Sequence, residues 1–321
     1  MIVYFPEEHA SHDPMYEYYD GDRAAYVEVP DRIREIMAAC VSLDVTPVGL
    51  DGHIDIKNLE GTHDFRYISY LRDKCAGIEL GEQIQPSNFI RDTYSPLTDG
   101  TYRASLNSAF VAMRSAEELV MGDDHLVYAL CRPPGHHAEN NAMAGYCYFN
   151  NAAIAANYLS QKGRVAILDI DYHHGNGTQS IFYDRSDVLY VSLHADPTDA
   201  FPYYCGFANE RGEGKGLDYN CNFPLDPKST AADYLAVLEK AISVVDKYCP
   251  DYVVLSLGFD TFEKDPIGGL GLNEATYTKV GELLNRTLAC PMLIVQEGGY
   301  NISKLQVLAR NFLTGLLGAT K

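Results

Sequence analysis

The chain has 321 residues, 46% hydrophobic and 21% charged, with eight cysteines and a formal net charge of -19. That length can bury an enzyme-sized core, and the acidity argues against an extended basic surface for nucleic acid or anionic membrane. It favours a cationic ligand, or simply aids solubility. No run of about 18 apolar residues is present, and the opening MIVYFPEEHASHD turns acidic before a signal-like region develops, so a cytoplasmic location is expected. The cysteines are scattered without a C-x-x-C pair, which fits reduced thiols.

Six short runs rich in β-branched and apolar residues read as strands: IVYF (2–5), LVYAL (126–130), RVAILDI (164–170), DVLYVSL (187–193), DYVVLSL (251–257) and PMLIVQ (291–296). Between them, helical periodicity covers segments near 30–41, 62–77, 104–121, 149–162, 230–248, 273–289 and 303–317. Alternation of this kind predicts parallel strands joined by crossover helices. The runs near 165, 188, 252 and 292 are apolar on both faces, as strands covered on both sides should be. The expected architecture is therefore an α/β protein, a single three-layer α/β/α domain spanning 1–321 with a mainly parallel central sheet. The least regular stretch, 79–103, reads as a long loop of the kind that carries function.

In an open parallel sheet, ligands bind beyond the carboxyl ends of the strands. Here the strands run into CRPPGHH, DIDYHHGNGT, HADP, GFD and EGGY, so histidines, aspartates and a tyrosine converge on one edge. Asp169, Asp171 and His173 sit at i, i+2 and i+4, and an extended chain would point all three to one face. A lone Asp-x-His is as readily a turn or a cap. With Asp260 from the end of another strand, however, Asp171 and His173 make a three-ligand set with an open position for Zn²⁺ or a similar divalent ion.

The blocks RPPGHHA, GYCYFNNAAIAA, ILDIDYHHGNGTQSIFY, VSLHADP, SLGFDTFEKDPIGGLGL and EGGYN, in that order, resemble the arginase-like deacetylase superfamily, which contains the histone deacetylases and acetylpolyamine amidohydrolases. HADPTDAFP, ERGEGKG and DTFEKDP are similar to its bacterial acetylpolyamine amidohydrolase branch. The resemblance implies a metal held by Asp171, His173 and Asp260, with Zn²⁺ expected and Fe²⁺ or Co²⁺ compatible with the same ligands. It makes His136 and His137 the proton-handling pair, backed by Asp169 and Asn176 respectively, and Tyr300 the donor to the oxyanion. Because a carboxylate stabilises imidazolium and an amide only orients the ring, His137 should be the less basic of the two. Gly145, Tyr146 and Phe201 correspond to the walls of the acyl-chain tunnel.

Two structural K⁺ sites are also implied, one around Asp169, Asp171, His173, Ser192 and Leu193 and the other around Phe182, Arg185, Val188 and Tyr219. In the polyamine branch an inserted loop, near 81–103 in this chain, narrows the entrance and helps form a homodimer. Asp99 in TDG is the expected contact for a distal ammonium, with Asp92 as the substitute. Ile267 stands where a eukaryotic polyamine deacetylase has a glutamate. The expected activity is release of acetate from a small, cationic acetylated polyamine or diamine. The alternative is an acetyl-lysine protein deacetylase. A non-catalytic scaffold is disfavoured because every mechanistic residue is present, and a two-metal ureohydrolase because only one ligand set is.

Overall fold

The computed structural model describes residues 1–19 and 21–318. In chain order the strands are β1 (Ile2–Pro6), β2 (Tyr16–Tyr19), β3 (Asp22–Ala25), β4 (Val48–Leu50), β5 (Gln83–Ile84), β6 (Leu97–Thr98), β7 (Leu126–Ala129), β8 (Val165–Asp169), β9 (Val188–Ala195), β10 (Asn220–Leu225), β11 (Tyr252–Leu257) and β12 (Met292–Gln296). The α-helices are α1 (Asp31–Val41), α2 (Ile56–Glu60), α3 (Phe65–Ala76), α4 (Thr101–Met121), α5 (Asn151–Leu159), α6 (Asn176–Phe182), α7 (Ala231–Tyr248), α8 (Glu274–Thr287) and α9 (Ile302–Leu316). All six strands and seven helical segments read from the sequence form.

Eight strands make one sheet in the order β10-β9-β8-β11-β12-β7-β1-β4, every pairing parallel. Side chains alternate along a strand, so each central strand feeds two cores. Ala166 and Leu168 of β8 and Val253 and Leu255 of β11 pack with α1, α7, α8 and α9. Val165, Ile167 and Val254 face α4 and α5. Burial on both faces is why these strands read as continuous apolar runs.

The sequence reading passed over β2, β3, β4 and β10. β10, NCNFPL, turns Asn220 and Asn222 inward, where both amides donate to Gln179 Oε1 (3.0 and 2.8 Å), so its buried face is polar. It lies at the sheet edge, where Pro224 is tolerated. Within 79–103 the regular structure is the β5–β6 pair, a bridge from Ile90 to Met143 and, from Thr101, the start of α4. Among the described residues no helix is long and apolar enough to cross a membrane.

Candidate active site

The strand ends deliver the site. β8 stops at Asp169, and the chain then bends instead of staying extended, which corrects the one-face expectation for Asp169, Asp171 and His173. The Asp171 N–H turns back onto Asp169 Oδ1 (3.2 Å) and the His173 N–H onto Asp171 Oδ1 (2.9 Å). These bends part the carboxylates: Asp169 faces His136, while Asp171 and His173 meet Asp260, which follows β11.

Asp171, His173 and Asp260 offer one ligand atom each, all within 4.8 Å of one another. His173 Nδ1 lies 3.4 Å from Asp171 Oδ1 and 3.0 Å from Asp260 Oδ2. Backbone N–H groups of Tyr172 and Gly298 donate to Asp260 Oδ1 and Asp171 Oδ2 and fix the carboxylates from behind. Glycines let the backbone come this close: a Cβ at Gly258 would sit 2.1 Å from Asp171 Oδ2, and one at Gly298 2.5 Å from Asp260 Oδ2. Burial opposes charge on all three ligands. Asp171, facing His136 and His173, is nevertheless held below the usual carboxylate range, whereas burial and the neighbouring Asp171 raise Asp260 to about 7. His173, despite its burial, is raised to about 9 by its hydrogen bonds to the two carboxylates. Two buried carboxylates converging on one imidazole demand positive charge, and a divalent cation meets that demand with suitable donors. The residues fit a metal.

The histidine pair lies on the turn after β7. Glu297, just past β12, pins this turn by accepting from the N–H groups of Gly135 (2.7 Å) and His136 (3.1 Å). The two rings are 4.0 Å apart but differ in surroundings. His136 Nδ1 is 3.1 Å from Asp169 Oδ2, and His137 Nδ1 is 2.7 Å from Asn176 Oδ1 at the start of α6. Burial disfavours the charged form of both. For His136, Asp171 and Asp169 outweigh burial and raise its pKa to about 10; for His137, burial with His136 and His173 holds it well below 6.5. A cation on Asp171 would cancel much of that residue's pull on His136 and leave Asp169 as its lasting partner.

A cavity of about 250 Å³ opens onto this group, lined by His137, His173, Gly145, Tyr146, Phe201 and Tyr300. His136 is not among the lining residues. Gly145 has φ +50°, and a Cβ there would lie 2.3 Å from His137 Cδ2, so only glycine allows this wall to touch the imidazole. Phe201 packs edge-on against His137 at 4.9 Å. Tyr94, from the irregular 79–103 segment, contacts both Tyr146 (6.3 Å) and Phe201 (6.1 Å), a third ring that sequence reasoning missed. Tyr300 is oriented through its backbone N–H, which donates to Asp265 Oδ2 (2.7 Å). Burial drives its phenol pKa well above 10, which keeps the proton on the donor. Beneath it, Arg32 donates to the carbonyls of Gly299 and Glu297, pinning the EGGY turn.

Asp99 is not at this cavity, a correction to its expected role. It is exposed at the start of α4 and lines a separate cleft with Gln83 and Arg103. The neighbouring Gly100 abuts Ser11 so closely that a Cβ would lie 1.9 Å from its carbonyl oxygen, which fixes the helix start there. Asp92, the substitute, spends its oxygens on the N–H groups of Tyr94 (2.8 Å) and Gly145 (2.7 Å) and supports the wall instead of lining it. Two other carboxylates line the cavity: Asp199, which is exposed, and Glu17 of β2, which is buried, with Tyr19 nearby. Glu17 is 4% exposed; its Oε1 accepts from Tyr146 Oη (3.3 Å), while its Oε2 is buried with no partner, and burial raises its pKa to about 7. Its sequence signal was a single glutamate within MYEYYDGDR, a tyrosine cluster with no strand-like alternation.

Of the residues assigned to K⁺ by resemblance, Ser192 pairs in register with Asp169 across β9 and β8, beside Leu193, and all are buried. Phe182, Arg185 and Val188 occupy the α6–β9 turn, and the Tyr219 carbonyl accepts from the Tyr190 N–H (2.9 Å).

A histone deacetylase domain model matches residues 26–316. Acetylpolyamine amidohydrolase 2 of Pseudomonas aeruginosa is 36% identical, covering 99% of this chain and 99% of the relative. Acetylpolyamine amidohydrolase 1 of the same organism is 37% identical over 100% of both chains. The crystal structure of the acetylpolyamine aminohydrolase from Burkholderia pseudomallei superposes with a TM-score of 0.93 at 36% identity, covering 99% of each chain.

Proposed function

The chain belongs to the histone deacetylase family, and from that premise we propose that it is a metal-dependent amidohydrolase releasing acetate from N-acetylated polyamines or short acylated diamines. One observation carries the choice of a cationic substrate: a single narrow aromatic cavity holds both the His173 and His137 imidazoles and a buried carboxylate, Glu17, with one oxygen unpaired. An unpaired buried carboxylate is costly, and an ammonium on the distal part of the substrate supplies the missing partner. The surrounding rings add attraction for the cation and grip the methylene chain.

Asp171, His173 and Asp260 are read as the residues that hold the metal. A zinc ion there supplies Lewis acidity, making an amide carbonyl a better electrophile and a water a better nucleophile. His137 donates Nδ1–H to Asn176, which leaves its Nε2 lone pair for the cavity; as a neutral base it takes the proton of the attacking water. It then returns that proton to the departing amine nitrogen as the C–N bond breaks, giving the free amine and acetic acid, which loses the water's second proton to become acetate. His136, backed by Asp169, remains the cationic partner behind it. The Tyr300 hydroxyl donates to the carbonyl oxygen as negative charge builds there.

The same reading makes residues 1–321 a single catalytic domain working in the cytoplasm. It also gives the 81–103 loop a part in a homodimer and the two carbonyl-rich groups structural K⁺ ions. Its test is a panel of N-acetylputrescine, N-acetylspermidine and acetyl-lysine peptides offered to the zinc-loaded protein, with Tyr300→Phe as the catalytic control. Turnover of the acetylated amines supports the proposal; preference for peptides assigns the alternative, protein deacetylation.

A further inference from the structure

Behind His137, on the side away from the substrate cavity, four side chains form a hydrogen-bonded chain. Arg91 Nη2 and Nε donate to Glu139 Oε2 (2.6 and 3.0 Å). Glu139 Oε1 accepts from Tyr204 Oη (2.9 Å) and Asn176 Nδ2 (3.3 Å). Asn176 Nδ2 also reaches Tyr204 Oη (3.0 Å) and the His137 carbonyl (3.2 Å). All four line an open cleft that shares no residue with the substrate cavity.

This arrangement leaves the Asn176 amide one orientation. Its Nδ2 faces a carboxylate, a carbonyl and a hydroxyl whose own proton is committed to Glu139, all three acting as acceptors. Turned over, the amide would set Oδ1 against those acceptors and Nδ2 against His137. Held as it is, Oδ1 can only accept from His137 Nδ1, so the proton of the neutral ring sits on Nδ1 and Nε2 carries the lone pair. An amide cannot hand the proton onward as a carboxylate can, so the chain fixes a tautomer without draining the base.

We propose that Glu139 and Tyr204, acting through Asn176, are positioning residues that determine which nitrogen of His137 serves as the base. Arg91, from the irregular 79–103 segment, holds Glu139 in place through two hydrogen bonds. Removing either Glu139 or Tyr204 leaves the His137 carbonyl and one further group to orient the amide, so flipped amides and the wrong tautomer become populated. The consequence for rate rests on the deacetylase reading; the tautomer does not.

The test is ¹H–¹⁵N NMR of the full chain labelled at histidine nitrogen, combined with steady-state kinetics on N-acetylputrescine, for wild type, Tyr204→Phe and Glu139→Gln. Tyr204 is 51% exposed, so its loss of a hydroxyl spares the core. Wild type should show His137 protonated at Nδ1 alone, and both variants a mixture of tautomers. Their kcat should fall about tenfold, the cost typical of removing a group that orients a functional histidine, with KM within about twofold because neither residue lines the substrate cavity. Adding Asn176→Asp to Glu139→Gln should recover part of the lost kcat, since a carboxylate has no wrong face to present. Variants that keep the wild-type tautomer, whether or not they lose activity, would overturn the proposal. A wild type that hydrolyses no acetylated amine would sink the functional reading, while the NMR result would still decide the tautomer question.

Discussion

Two regions meet at the cavity and are built by different rules. The carboxyl-end rim of the sheet supplies Asp169, Asp171, His173, His136, His137, Asp260 and Tyr300 from bends that follow strands buried on both faces. The N-terminal segments supply Glu17 from a two-stranded hairpin and Tyr94 from a stretch with almost no regular structure. The rim is held by backbone donors and rigid strands, as groups that perform chemistry need to be. The hairpin and loop have only short backbone pairings, β2 with β3 and Ile90 with Met143, and reach the cavity wall through side-chain bonds such as Tyr146 on Glu17 and the Gly145 N–H on Asp92. The difference implies a division of labour, in which the rim sets how fast an amide is cleaved and the N-terminal segments set which amide enters.

Substitutions can break that division if it is wrong. His137→Ala removes the proposed base and should lower kcat by about 10² to 10⁴ for every acetylated substrate alike. Tyr300→Phe removes the proposed oxyanion donor and should cost about 10² to 10³ in kcat, again without regard to substrate charge. Glu17→Gln belongs to the other region. It should lower kcat/KM by about ten- to hundredfold for a cationic substrate, following the roughly 1.5 to 3 kcal/mol of a charged hydrogen bond, and spare neutral amides.

A pH profile sharpens the comparison within the rim. With His137 as the proposed neutral base, activity should fall as pH drops through its pKa, which its buried and cationic surroundings hold well below 6.5. A carboxylate at 176 would stabilise imidazolium, so Asn176→Asp should move the acidic limb of kcat/KM to higher pH; an unmoved limb would reject His137 as the titrating base. The smallest effect is expected of Asp99→Asn. An exposed residue outside the cavity should change neither kcat nor KM by more than about twofold.

The same contrast explains how much could be read from the sequence. β8, β11 and β12 announce themselves because two-sided burial forces an apolar run, and the parallel sheet then gathers DIDYHH, GFD and EGGY on one edge. β10 escaped notice because its inward positions are Asn220 and Asn222, whose amide N–H groups donate to Gln179, so no apolar alternation marks the strand. The split between Asp169 and Asp171 depends on two backbone bends that alternation along a strand does not foresee. Asp99 and Glu17 show the limit most directly. Where neither periodicity nor strand ends fix a segment, the tertiary position of a carboxylate is set by contacts such as Gly100 on Ser11 and Tyr146 on Glu17, which are far apart in sequence.

The division of labour is tested most directly by comparing kcat/KM for N-acetylputrescine with that for its neutral isostere, N-pentylacetamide, in wild type and Glu17→Gln. The account predicts a preference for the cationic amide of about tenfold or more in wild type, consistent with a desolvated charged hydrogen bond, and collapse of that preference in the variant while turnover of the neutral amide persists. Equal wild-type turnover of the two amides, or a preference that survives Glu17→Gln, would contradict it.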